Sequence, residues 1–359
     1  YGFDESNEPN GFIADDGFEQ VDKIMPEEKI DWMKSGEEAV AYNNKLGITA
    51  WLDPSAGSTE EKENNHLDTY ATLSRQHKLT AHVAATVVAN ADGDAATQIL
   101  KLKSVQKKYA EAKGLSILGF KIFSDGVIEY PSQTAALSKP YLNKTSSGAL
   151  MMTPKKFAAF ATAADKAGLL VHVHAIGDLA VTETLNGFET MRKVNGNSSI
   201  PHTITHLQIV LPKDFERFKK LGVLASYQLL WAYGDVTTID ILQPYIEPEL
   251  YRWQYPSRSM LQAGTIICGA SDWPVSTANP FEAIYNAETR KGPKGVLDSS
   301  QCMPRIAMLY AYTINAAKAM RMEKNIGSLE PGKSADIIAV NCDILTVSPK
   351  EMQDAKIVW

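Results

Sequence analysis

The 359-residue sequence predicts an α/β fold: a (β/α)8 TIM-like barrel lacking its first strand, followed by a small β appendage. Three observations predict it. Seven short apolar runs recur roughly every 30–35 residues, the size of one βα unit. The segments between most of them carry helical periodicity, and alternating βα units make an α/β fold. The runs show no clean apolar–polar alternation, as parallel strands buried on both faces require. Seven strands fall one short of a closed barrel, so the first strand is expected before Tyr1. An open doubly wound sheet is the competing architecture, but no glycine-rich phosphate fingerprint follows the first run.

Taken in order, the first 25 residues are acidic, rich in Gly and Asn, without period, and read as loop. Pro26 to Gly47 reads as a helix, with proline near its start and glycine just past its end. The apolar runs are GITAWLDP (47–54), LTAHVAATVV (79–88), LSILGFKIFSDG (115–126), AGLLVHVHAIGD (167–178), PHTITHLQIV (201–210), GVLASYQLL (222–230) and AGTIICGASDWP (263–274). TPKKFAAFATAADKAG (153–168) typifies the helical segments between them. A helix is expected over roughly 301–322. Beyond it, residues 325–349 show turn chemistry at Glu-Pro-Gly and then the strand-like ADIIAV.

Hydrophobic residues make up 44% and charged residues 22%, a globular composition. Lys and Arg total 36 against 42 Asp and Glu, a net charge of −6, which argues against a nucleic-acid or anionic-membrane partner. No apolar run is long enough for a spanning helix. Cys268, Cys302 and Cys342 are scattered and odd in number, so no disulfide framework is expected. The chain opens at Tyr1 without a visible signal peptide and stops at Trp359 in strand-like AKIVW. It reads as part of a longer chain, cytoplasmic by default, with a periplasmic or secreted location left open.

Functional groups of a barrel gather at the C-terminal ends of its strands. Those ends carry Asp53, then Lys121 with Asp125, His172 and His174 with Asp178, His206 with Gln208, Gln228, and Ser271 with Asp272. His172 and His174 form an HxH pair on one strand face, and His174 is nearer the strand end. His206 lies about one βα unit later, so its imidazole can converge with that of His174 on one ion. Asp272 in GASDWP is placed to bind such an ion and to take a proton from its water, or to cap the following turn. Lys121 in GFKIF puts an ammonium amid strand residues, where an unpaired charge is costly. It is read either as paired with Asp125 or another carboxylate, or as a carbamate formed with CO₂, an anionic ligand able to bridge two metals. His202, at a strand start, is structural; His82 packs inside the barrel; His66 and His77 lie in or near helices and are solvated. Trp231, Tyr233, Trp253 and Trp273 line a substrate cavity or belong to the core.

GFKIFSDG, HVHAIGDLAV, THLQIVLPKDFERFKKLGVLASYQ and GASDWPVSTANPFEAIYNAETR resemble motifs of the amidohydrolase superfamily, in the branch that includes N-substituted formamide deformylase. YTINAAKAM followed by IGSLEPGKSADIIAV is similar to its C-terminal signature. The resemblance runs from about Gly47 to Val340. It implies a (β/α)8 barrel (residues 1–324) with a small β-sandwich formed by the chain ends, to which residues 325–359 contribute. It implies one or two divalent metals, zinc first. By position Lys121 matches the fourth-strand lysine that becomes carboxylated, His174 the fifth-strand histidine, His206 the sixth-strand histidine and Asp272 the eighth-strand aspartate. The superfamily's first-strand HxH is absent here. His172–His174 is not that pair, because about three βα units separate it from Asp272. Leu229 stands where the superfamily often has proline.

The activity implied is hydrolysis of an amide, formamide or cyclic amide C–N bond, with Lys121, His174, His206 and Asp272 as metal ligands and Asp272 as general base. A small-molecule substrate is expected, and a homodimer is compatible with such a barrel. The rivals are an inactive or regulatory barrel and a deaminase on the same fold.

Overall fold

The computed structural model describes residues 2, 6–13, 17–26, 29–59 and 64–359. Each apolar run forms one strand: β1 (Ala50–Asp53), β2 (His82–Val88), β3 (Leu115–Phe123), β4 (Leu170–Ala175), β5 (Thr203–His206), β6 (Leu224–Tyr227) and β7 (Ile267–Gly269). All neighbours are parallel and sit in chain order, so one sheet curls from β1 to β7. Its two edges have no strand between them among the described residues. A two-residue hairpin, β8 (Lys291–Gly292) with β9 (Gly295–Val296), stands apart.

The helices are α1 (Gly17–Asp22), α2 (Trp32–Lys45), α3 (Asn65–Arg75), α4 (Ala95–Lys108), α5 (Pro154–Lys166), α6 (Asp178–Asn195), α7 (Pro212–Leu221), α8 (Pro248–Tyr251), α9 (Ser257–Gln262), α10 (Pro280–Thr289), α11 (Arg305–Ala311), α12 (Ile314–Ala319) and α13 (Pro349–Gln353). Their ends follow side-chain chemistry. Thr153 accepts from Lys156 N ahead of α5, and Asp94 from Thr97 N ahead of α4, each such cap being worth about 1 kcal/mol. Gly222 ends α7 at φ 67°, a left-handed conformation that glycine adopts without strain.

Alternation along each strand sets two faces. On β4, Val171, Val173 and Ala175 join the main core with Phe157, Phe160, Val181, Leu185 and Phe188 of α5 and α6. His172 and His174 fall on the other face. At the N-terminal end of the sheet, Ala317, Met320 and Ile326 pack with Ala50, Leu52, Ala84 and Leu118, and Ala319 packs with Leu224 and Cys268. One segment around α12 thus touches both sheet edges, which is the signature of a curled sheet. At the opposite end two loops, after β3 and after β6, build a separate core from Ile128, Leu137, Tyr141, Leu242, Ile246 and Leu250. Tyr130 stacks on Tyr245 at 4.6 Å between these loops.

Three expectations need correction. The loop expected over the first 25 residues, part of which lies outside the described residues, contains the short helix α1. The helix expected over 301–322 is broken into α11 and α12. Tyr312 OH donates to Ala270 O and Asn315 Nδ2 to Ile267 O, so docking onto β7 fixes the break. Residues 325–359 form no strand ladder: Val340 bridges Ile357 and α13 lies between them.

His202 is structural, as expected. Its Nε2 donates to Asp165 Oδ1 at 2.9 Å and its Nδ1 accepts from Val171 N at 3.0 Å. Asp165 also accepts from Arg192, Ser198 and Asn195. Burial alone would raise the Asp165 carboxyl, but these hydrogen bonds hold it well below the usual carboxylate range. Burial lowers His202, against the pull of Asp165. Both shifts have one sign for stability. The unfolded chain takes up the His202 proton at about pH 6.5, and the Asp165 proton at about pH 3.9, before the folded chain does. Stability should therefore fall as pH drops below about 6.5 and again below about 4. Urea midpoints between pH 8 and 4 should show the first fall, and His202→Gln should make it shallower, the other buried histidines supplying the rest; an unchanged slope in that variant would exclude His202 as a contributor.

Candidate functional site

The site is built at the C-terminal ends of β3, β4, β5 and β7. Register places Lys121 beside His172, and His174 beside Thr205. The structure brings His174 and His206 together, ring centroids 4.4 Å apart and tilted by 64°. His174 Nε2 lies 2.9 Å from Gly126 O, a carbonyl, so Nε2 carries the proton and Nδ1 keeps its lone pair. His206 Nδ1 is buried with no hydrogen-bond partner. Burial first, then Lys121, lowers His174 to about 4. Burial, then His174 and Lys121, lowers His206 further below its ordinary value. Both imidazoles are neutral at pH 7, the form in which histidine binds metal.

Lys121 is 4% exposed. Among the described residues its ammonium has no carboxylate within ion-pair distance; it sits over the Phe123 ring at 4.9 Å. The pairing with Asp125 considered from the sequence does not form. Asp125 instead accepts from the backbone N–H groups of Ala136, Ile176 and Gly177 at 2.9–3.0 Å. Those three bonds tie the loop after β3 to the β4–α6 turn, and they leave Asp125 Oδ1 3.6 Å from His174 Nε2. Burial lowers the Lys121 pKa to about 8, against the attraction of Asp272.

Asp272 follows β7 with φ 56°. Burial raises its carboxyl, against the stabilising pull of Lys121. Each is thus the other's electrostatic partner without contact. His172 turns to Thr203, its Nδ1 2.5 Å from Oγ1, and so is tied to the barrel wall. Gln228 donates to Thr205 Oγ1 at 3.0 Å, leaving Oε1 unpaired. Among the described residues no group of three or more His, Cys, Asp and Glu is placed to hold a metal. The unmodified side chains supply the His174–His206 pair, a lysine without an ion-pair contact and a carboxylate beyond ion-pair distance from it.

Other histidines depart from expectation. His66 is half-exposed but bonded, its Nδ1 3.1 Å from Asp53 Oδ2, and that bond is the first cause of its raised pKa. His82 Nε2 lies 3.1 Å from Asp336 Oδ2, linking β2 to the SADI segment. Sequence reasoning missed Asp125 as the knot behind His174; the adjacent Asp-Gly pair was its signal. It also left Trp231 among generic aromatics, whereas its ring lies parallel to that of His206. No helix among the described residues is long and apolar enough to cross a membrane.

Comparisons with known proteins give the family and the fold. The chain is 29% identical over 346 residues to Protein LONG AFTER FAR-RED 3 of Arabidopsis thaliana, covering 94% of this chain and 58% of that protein. It is 27% identical over 218 residues to N-substituted formamide deformylase of Arthrobacter pascens, covering 60% of this chain and 39% of that enzyme. The chain therefore spans about half the length of these relatives. Among solved structures, an uncharacterized metal-dependent hydrolase from Pyrococcus horikoshii superposes with a TM-score of 0.76 at 26% identity, over 97% of this chain and 67% of that one. The model of the amidohydrolase family matches residues 1–359, and the chain belongs to that family.

Proposed function

We propose that this chain carries the metal-binding rim of a hydrolase acting on an amide, formamide or cyclic amide C–N bond. The observation that carries the reading is the neutral His174–His206 pair beside a buried Lys121 that has no ion-pair contact among the described residues. The orphaned His206 Nδ1 and the lone-pair nitrogen of His174 are donors of the type that zinc and similar ions take. With Lys121 as a carbamate, the residue becomes an anionic oxygen donor, and the donor set fits a divalent cation. Such an ion, once bound, supplies Lewis acidity and a water acidic enough to ionise near neutral pH. His174 and His206 would hold it, with Asp272 completing the set from the β7 side. Asp272 also accepts a proton from the attacking water and returns it to the leaving nitrogen. In the same reading residues 325–359 belong to a small β-sandwich, with the 340–357 bridge as part of it.

The test is reconstitution with zinc or manganese, followed by assay on N-formyl and N-acyl amines. About one or two equivalents of metal should bind, and chelation should remove turnover. A second reading, a regulatory barrel without chemistry, is favoured by the absence of a three-residue metal cluster among the described residues. Less than about half an equivalent of bound metal would select it and overturn the hydrolase.

A further inference from the structure

Trp231 touches His206 and Ser276. Its indole lies parallel to the His206 imidazole, 4° between planes and 6.0 Å between centroids, within the range of offset stacking. Its Nε1–H donates to Ser276 Oγ at 3.1 Å. Ser276 Oγ in turn donates to Ser271 O at 3.1 Å, the carbonyl that precedes Asp272. Both ends of this path have left-handed backbone, His206 at φ 75° and Asp272 at φ 56°. Non-glycine residues hold that conformation when their surroundings impose it.

The indole is itself fixed. Trp231 N donates to Gln228 O, and Asn286 Nδ2 on α10 donates to Leu230 O at 2.6 Å. Buried Arg290, just past α10, closes the far end of the same loop, donating to Gln254 O and Tyr255 O. Tyr255 N then donates to Gln208 O, two residues beyond His206. The loop after β6 is therefore anchored at one end to α10 and at the other to Arg290 just past it, with Trp231 against His206 on one side and Ser276 on the other.

We propose that Trp231 is a positioning residue that couples His206 to Asp272 through the indole stack and the Ser276 hydroxyl. The proposal rests on the reading of His206 and Asp272 as site groups. A packing role for Trp231 would leave the Ser276 hydroxyl irrelevant at His206; a positioning role makes that hydroxyl felt two strands away.

The test uses imidazole NMR of the full metal-free chain labelled at histidine, with Ser276→Ala, Ser276→Thr and Trp231→Phe. Ser276→Ala should move the His206 resonances and leave those of His202, at the opposite end of β5, unchanged. Ser276→Thr, which keeps the hydroxyl, should restore them. In cobalt(II) titrations Ser276→Ala and Trp231→Phe should each weaken binding about tenfold, the scale of groups that orient metal ligands, and the double variant should be no weaker than Trp231→Phe. Unmoved His206 resonances in Ser276→Ala, or additive losses in the double variant, overturn the coupling. A wild-type chain that binds no cobalt refutes the hydrolase reading, and the His206 resonances still decide the coupling.

Discussion

Lys121→Met should make the metal-free chain more stable and its site useless. The ammonium is nearly excluded from water and has no ion-pair partner among the described residues. Its depression from about 10.5 to about 8 corresponds to about 3 kcal/mol of folding stability lost at neutral pH. Methionine of similar length removes the charge and keeps the volume, so the melting temperature should rise at pH 7. Metal affinity should fall by at least about 100-fold, because even groups that only orient metal ligands are worth about 10–100-fold. Turnover should disappear with it. Calorimetry and metal analysis on the same preparation read the two effects together. A drop in melting temperature with metal binding intact would show Lys121 to be a packing residue and remove it from the proposed site. Labelled bicarbonate offers a direct view of the modification: a carbon resonance lost in Lys121→Met is expected.

The second large effect is at Asp272. Asp272→Asn keeps the shape and, because asparagine tolerates positive φ, keeps the backbone at φ 56°. What it removes is a carboxylate that can accept a proton. The expected result is a fall in kcat of about 100- to 10,000-fold, the usual range for a general base, with metal content retained. The unaltered chain should lose activity at low pH as this carboxylate is protonated. In the metal-free chain burial raises this carboxyl, against the pull of Lys121. Turnover of Asp272→Asn equal to wild type would exclude Asp272 as the proton acceptor and leave the β7 end as scaffold.

The strands were legible because a parallel sheet covered on both faces demands short, unbroken apolar segments. All seven runs from GITAWLDP to AGTIICGASDWP became strands in order. The convergence of His174 and His206 was legible only as neighbouring strand ends: register pairs His174 with Thr205 and His206 with Ala175, and His206 meets the His174 ring where its backbone turns left-handed, at φ 75°. The β-rich run ADIIAV was misleading, because strand propensity states what a segment tolerates and pairing depends on a partner. The helix over 301–322 was misread likewise, since its break answers to carbonyls of the β7 segment that no local pattern encodes.

Composition and periodicity by themselves determined the strand count and the order of the strands along the chain. Tertiary structure alone decided that Asp125 spends its oxygens on three backbone amides, that Lys121 is left without an ion-pair contact among the described residues, and that Trp231 lies against His206. The physical reason is range. Periodicity reports which face a residue takes within its own element. Hydrogen bonds, desolvation and ring contacts depend on what the rest of the chain, often more than fifty residues away, places opposite it.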